Sequence, residues 1–333
     1  MERRFAMTLC PGERVDATFA LTAKEMRVTR TGEAYLVLEF ADRSGRIPGI
    51  MFRPGRDAEA VPTGVVVRVR GVVTEYRGVA RVSVESVRAA EEYEPRDIIP
   101  AGMREERELV AELRGLVRAV SDRSLGALLR EVFGDAAFMT SFKECPASRS
   151  AHHAYLGGLL EHTVGVAAVC RQLASLRRQL DADLLLTGAL IHDMGMVDGL
   201  VYETGIDHTD EGRLVGHAVL GERRLRSAVG RLGNRVSRER WMMLAHMILT
   251  HHAEPGSPGT GHPATLEALA LHHADTLDRE TAGFIAVSTR ASIVGESWTD
   301  GANPFGRRLR APGADLAPGR AAEPEAPGYP RSA

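Results

Sequence analysis

The sequence predicts an α+β chain of two unlike parts, a small N-terminal β-barrel followed by an all-α domain. Two observations carry this. Residues 1–90 alternate apolar and polar positions in short runs between glycine-bearing turns, whereas from Met103 apolar residues recur at helical spacing. All 12 histidines lie between His152 and His273, so imidazole chemistry is confined to the second part. A length of 333 residues accommodates two ordinary cores.

Five strands are expected in the first part. Val15–Leu21 alternates moderately, Ala34–Phe40 carries Tyr35, Val37 and Leu38, and Arg46–Phe52 follows the turn Asp42-Arg43-Ser44-Gly45. Val65–Val73 puts Val65, Val67 and Val69 on one face and Arg68 and Arg70 on the other. Val79–Val87 repeats that period after Tyr76-Arg77-Gly78. Short strands with such turns suggest a closed barrel of the OB type, which binds single strands through aromatic platforms and basic grooves. The candidates are Tyr35, Phe52 and Tyr76 with Arg27, Arg30, Arg53 and Arg77. The plainer alternative makes these rings core and these arginines a solvated face. The net charge of +4 over residues 1–90 is only a mild bias.

The charged stretch Glu91–Pro100 leads to the predicted organisation: barrel 1–93, linker 94–102, helical domain 103–305 and disordered tail 306–333, the last from its Ala/Pro/Gly/Arg composition. Leu109, Leu113, Leu116, Val117 and Val120 mark one helix face and Leu125–Phe133 a second helix, while Asp135–Ser150 reads as irregular. The net charge of −2 excludes a globally basic coat. Cys10, Cys145 and Cys170 have no metal-finger or redox spacing. Without an apolar leader or membrane-length run, a cytoplasmic protein is expected, with no membrane partner.

His162 sits on the apolar run Leu156–Leu173, and His192-Asp193 ends the apolar helix Asp183–Asp193. A buried Asp beside a buried His is costly unless neutralised, which a metal ion does. His217 follows, then a helix Arg238–His252 with His246, His251 and His252, and a helix Thr265–Leu277 with Asp275. Mixed imidazole and carboxylate donors suit transition metals better than calcium. His246 and His251 are five apart and do not share a helix face, so only one is expected to ligate, His251 being favoured at the helix end. His272, three before Asp275, is expected to support it. His152 and His153, with Lys143 and Arg149 upstream, are candidates for phosphate contacts at the site entrance. Capping or surface roles are the plainer reading. Asp198–Glu211 is polar enough for a rim or lid.

The order His162 … His192-Asp193 … Asp275 resembles the HD superfamily of metal-dependent phosphohydrolases. In that superfamily, residues at these positions hold a first metal, and histidines such as His217 and His251 hold a second in binuclear members. The strings His152–Thr163 (HHAYLGGLLEHT), Glu211–His217 (EGRLVGH), His246–His252 (HMILTHH) and Thr265–Asp278 (TLEALALHHADTLD) narrow the likeness to the YhaM family of 3′→5′ exoribonucleases. In that family an OB domain precedes the HD domain, and Thr29–Ile47 is similar to its OB segment. Gly195-Met196 departs from the Gly-Lys that commonly follows the His-Asp pair, leaving arginines to make most phosphate contacts, since the only lysines are Lys24 and Lys143. Arg213 is one candidate for the missing role, with Met196 then packing in the core.

The resemblance implies a divalent-metal-dependent 3′→5′ exonuclease on single-stranded RNA, with DNA as a further substrate, releasing nucleoside 5′-monophosphates. It implies two ions, manganese before Fe, Co, Ni, Zn or Mg, bridged by Asp193. His162, His192, Asp193, His217, His251 and Asp275 are the expected ligands, with His246 and His252 as lesser candidates. His153 or His152 would protonate or position the leaving oxygen, and Arg149 and Lys143 would contact phosphate. The alternatives are a small-nucleotide phosphohydrolase whose barrel builds a homo-oligomer, and a catalytically weak nucleic-acid-binding protein.

Overall fold

The computed structural model describes residues 3–29, 31–76, 78–100, 102, 104–252, 261–293 and 296–312. Arg30 and Arg77 lie outside these residues. The N-terminal strands are β1 (Arg14–Val28), β2 (Ala34–Asp42), β3 (Gly45–Phe52), β4 (Val66–Tyr76) and β5 (Val79–Ala89), with a short helix α1 (Arg56–Ala60) between β3 and β4. They close into a barrel in the order β1-β2-β3-β5-β4, sealed by a parallel contact in which Gly49 meets Val82 and Ile50 meets Ser83.

β1 is longer than its alternation suggests, because a register shift between Leu21 and Ala23 bends it around the corner. Its first half pairs with β4 and its second with β2. Gly49 permits tight curvature, since a Cβ there would lie 2.5 Å from the Phe40 ring. Phe19, Leu21, Leu36, Leu38, Phe40, Val67, Val69 and Val82 fill the interior.

After a one-turn helix α2 (Pro95–Ile98) come α3 (Glu106–Ala119), α4 (Arg123–Phe133), α5 (Ala136–Glu144), α6 (Gly158–Leu176), α7 (Ala182–Ile191), α8 (Met196–Gly199), α9 (Asp210–Leu214), α10 (His217–Leu232), α11 (Arg238–Thr250) and α12 (Leu266–Ile293). A two-residue antiparallel ladder, Leu200–Val201 with Asp207–His208, lies between α8 and α9. The expectation of irregular chain over 135–150 is corrected by α5. Asp135 caps that helix by accepting from the Ala137 and Phe138 amides. Phe138 and Phe142, one turn apart, pack with Phe133 at centroid distances of 5.3–6.1 Å. A two-residue stripe is too short to register as periodicity.

Two further features differ from the reading by composition. The linker packs tightly against the barrel: Ile98 and Ile99 are buried with Ala20 and Val66 of the barrel, with Leu156, Tyr202 and Ile206 against them. A tail beginning at 306 is set too early. Leu309 and Ala311 are buried and Trp298 bridges Arg310, so the chain folds back through 312, and the remainder of the expected tail lies outside the described residues.

Candidate metal centre

Among the described residues no helix is long and apolar enough to cross a membrane. α7 is buried on every side from Leu184 to Ile191, and delivers His192 and Asp193 from its C-terminal end into the middle of the helical core. Gly195 keeps that turn against α10, since a Cβ there would meet the His217 carbonyl at 2.1 Å. α6 supplies His162, the start of α10 supplies His217, the end of α11 supplies His251 and His252, and α12 supplies Asp275.

Each central imidazole is anchored by one nitrogen and presents the other inward. His162 Nδ1 donates to Asp278 Oδ2 at 2.7 Å, His192 Nδ1 to the Ala189 carbonyl at 2.8 Å, and His251 Nδ1 to the Ile248 carbonyl at 2.6 Å. These partners assign the proton to Nδ1 and leave the Nε2 lone pairs facing each other. His162 Nε2 and His192 Nε2 are only 3.1 Å apart, and Asp275 Oδ1 lies 3.2 Å from the former. Asp193 Oδ2 is 3.5 Å from His162 Nε2 and 3.6 Å from His192 Nε2. Asp275 Oδ1 is buried without a hydrogen-bond partner.

Two ligands of one ion, each about 2.0–2.2 Å from it, stand roughly 3.0–3.5 Å apart. The donor set fits a divalent cation, which would satisfy the orphaned oxygen and relieve the opposed lone pairs.

The other oxygen of Asp193 faces a second group. Asp193 Oδ1 is 3.1 Å from His251 Nε2 and 3.4 Å from His217 Nε2, and those two nitrogens are 3.3 Å apart. His252 completes this cluster, with its Nε2 3.2 Å from Asp275 Oδ2. Electrostatics follow from the crowding. Burial alone would raise the Asp193 carboxyl, but His192, His251 and His217 hold it well below the carboxylate range. Burial also opposes protonation of His162, yet Asp275 and Asp278 push it up to about 10, while burial pushes His192 down to about 4.

The structure brings together His162, His192, Asp193, His217, His251, His252 and Asp275, and it separates the remaining candidates. His246 accepts from the Ala264 amide at 2.8 Å through Nε2, so it secures the chain after α11 and is no ligand. His272 holds the His251 carbonyl at 2.7 Å, not Asp275 as its spacing suggested. Lys143 pairs with Glu106 at 2.7 Å beside a cavity of about 560 Å³ that no ligand candidate lines, and Arg149 is exposed near Asp207. Neither takes part in the cluster. His153 has both ring nitrogens engaged, Nε2 with Asp278 at 2.9 Å and Nδ1 with the Tyr155 hydroxyl at 2.7 Å. His152 is buried with Nε2 unpartnered, its ring 5.2 Å from that of His162. Arg213 pairs with Asp207 at 2.6 Å, and Met196 is in the core, 6% exposed.

Asp278 was missed by sequence reasoning. Its signal was present, because it sits three after Asp275 and so shares that face of α12.

On the barrel, Tyr35 and Phe52 are cross-strand partners with ring centroids 5.7 Å apart, and Phe52 is 52% exposed. Arg27 lies opposite Tyr35 and pairs with Glu25, and Arg53 pairs with Glu33. Tyr76 is exposed beneath the Arg81 guanidinium at 4.5 Å.

A His/Asp cluster in a helical domain behind a closed barrel defines the class, and residues 159–280 match the HD domain family. The chain is 28% identical over 273 residues to the 3′-5′ exoribonuclease YhaM of Halalkalibacterium halodurans, covering 80% of this chain and 83% of that protein. The Geobacillus sp. protein of the same name is 28% identical over 274 residues, covering 80% and 82%. That of Bacillus velezensis is 29% identical over 274 residues, covering 80% and 85%. The chain is thus similar to these three proteins over four fifths of its length, and a closed five-stranded barrel precedes its match to the HD domain family. The second OB-fold domain of replication protein A from Methanococcus maripaludis matches 28% of this chain and 99% of its own at 20% identity and a TM-score of 0.22. The barrel assignment rests on the strand order described above.

Proposed function

We propose that this chain is a divalent-metal-dependent 3′→5′ exonuclease acting on single-stranded RNA, with DNA as a second substrate, and releasing nucleoside 5′-monophosphates. The observation that carries the reading is the position of Asp193, whose two oxygens face two separate sets of imidazoles. His162, His192, Asp193 and Asp275 would hold one ion, and Asp193, His217, His251 and His252 a second, manganese being the first candidate. Bound there, the ions supply an activated water and neutralise charge on the phosphoryl oxygens.

The chain's own residues do the rest. Asp278 keeps His162 in the tautomer that offers Nε2 inward. The apolar packing of α7 excludes bulk water from one side of the cluster, which strengthens every charge interaction within it. His152, with Nε2 unpartnered, is better placed than the doubly bonded His153 to meet the leaving oxygen. The Tyr35–Phe52 pair offers a stacking surface for bases upstream of the cut, and favours a polymer over a free nucleotide.

The test is a 5′-labelled oligoribonucleotide assayed beside free nucleotides. Stepwise shortening from the 3′ end, with no turnover by a correctly folded, metal-poor Asp193→Ala protein, supports the reading. Cleavage of free nucleotides alone, or full activity in Asp193→Ala, overturns it.

A further inference from the structure

Arg279 stands one turn beyond Asp275 on α12, at the edge of the cluster. Its Nη1 makes a long contact of 3.4 Å to Asp275 Oδ2, an oxygen that also has His252 Nε2 at 3.2 Å. Its Nε is buried without a partner, although the side chain is 36% exposed. A guanidinium carries five N–H donors in a planar fork, and most of this fork is unused. Other cations of the helical domain are committed to carboxylates: Arg213 to Asp207, Arg224 with two nitrogens to Asp198, and Lys143 to Glu106. The turn after the His-Asp pair contributes no cation, because Met196 is buried in the core.

The electrostatics of that position point outward to a ligand. His152 borders the same cluster, its ring 5.2 Å from that of His162, whose Nε2 is 3.2 Å from Asp275. Asp275 meets only one nitrogen of this fork, at 3.4 Å, and an anion with several acceptor oxygens would engage the rest. The second, independent sign of such a ligand is His152. It is only 6% exposed, and its Nε2 has no hydrogen-bond partner.

We propose that Arg279 is the phosphate-binding residue of this site, its unused N–H groups taking the non-bridging oxygens of the scissile phosphodiester, with His152 Nε2 turned to the same group. This rests on the phosphodiesterase reading above.

The test uses the full chain loaded with Mn(II), comparing wild type with Arg279→Gln and Arg279→Lys. Inorganic phosphate binding is measured by calorimetry, together with metal content, circular dichroism, and kcat/KM on single-stranded RNA and on bis(p-nitrophenyl) phosphate. Arg279→Gln is expected to retain metal and fold, bind phosphate at least ~10-fold more weakly, and lose about 10²-fold in kcat/KM on both substrates. Arg279→Lys should recover part of both losses, having the charge without the fork.

Unchanged phosphate affinity and kcat/KM in Arg279→Gln overturn the proposal. So does loss of metal in step with activity, which would make Arg279 a positioning residue for Asp275. A wild type that binds phosphate through Arg279 and cleaves only the chromogenic diester leaves this proposal standing while the polymer reading falls.

Discussion

Replacing Asp278 with Asn removes one charge and almost no volume. In the native protein Asp278 Oδ2 accepts from His162 Nδ1 at 2.7 Å and from His153 Nε2 at 2.9 Å, in a side chain only 18% exposed. Hydrogen bonds to a charged acceptor contribute about 1.5–3 kcal/mol and neutral ones about 0.5–1.5, so the change weakens each bond by roughly 1–1.5 kcal/mol. Of the two, only the His162 bond orients a proposed ligand, and on the proposed function that loss alone corresponds to about a tenfold fall in metal affinity. Removing the outer partner of a metal-bound histidine generally costs about 10–100-fold, in agreement.

The expected result is that Mn(II) held through His162 dissociates about 10–100-fold more readily, while binding at the His217/His251/His252 group is little altered. Chelator competition, read by metal content against free chelator, measures both. Gly165→Ala offers the same perturbation from α6, since its methyl would lie 2.5 Å from Asp278 Oδ1. If Asp278→Asn binds Mn(II) as tightly as wild type, packing alone orients His162 and the reasoning fails.

Phe52→Ala should weaken binding of single-stranded RNA by about 1–3 kcal/mol and leave cleavage of bis(p-nitrophenyl) phosphate unchanged, because it removes one stacking face. Unaltered RNA affinity in filter binding would take the barrel's aromatic pair out of the interface. Met196→Lys places an ammonium in a 6% exposed core position, so it should lower Tm without raising turnover; a faster enzyme of wild-type stability would show that Met196 faces the phosphate. Metal-free protein should be most stable near neutral pH. Burial pushes His152 down to about 3 and His192 down to about 4, so the unfolded chain binds more protons below its ordinary histidine pKa and stability falls as pH drops through about 6.5 toward 4. Although burial opposes it, His162 is pushed up to about 10 by Asp275 and Asp278, so its contribution is complete below about 6.5 and is lost as pH rises toward 10. A Tm that stays level from about pH 4.5 to 9 in chelator-treated protein would contradict both signs.

Local pattern was sufficient for the barrel and for picking out the polar residues that the helices bring together. Val67 and Val69 alternate with Arg68 and Arg70, and the buried face is what the period of two implies. His162, His192, Asp193 and Asp275 are polar residues on or at the ends of apolar helical runs, an arrangement legible because isolated buried charge is so unfavourable. Helix packing decided the rest. Whether Asp193 faces one imidazole group or two depends on how α6, α10, α11 and α12 surround the end of α7, and residues 30 to 80 positions apart carry no spacing rule for that. His246 and His251 belong to one short segment, yet one ring turns to the Ala264 amide and the other to Asp193. The partner of His162 is Asp278, 116 residues away, and that hydrogen bond exists only because α12 crosses α6 at Gly165, where the absence of a Cβ leaves room for the carboxylate.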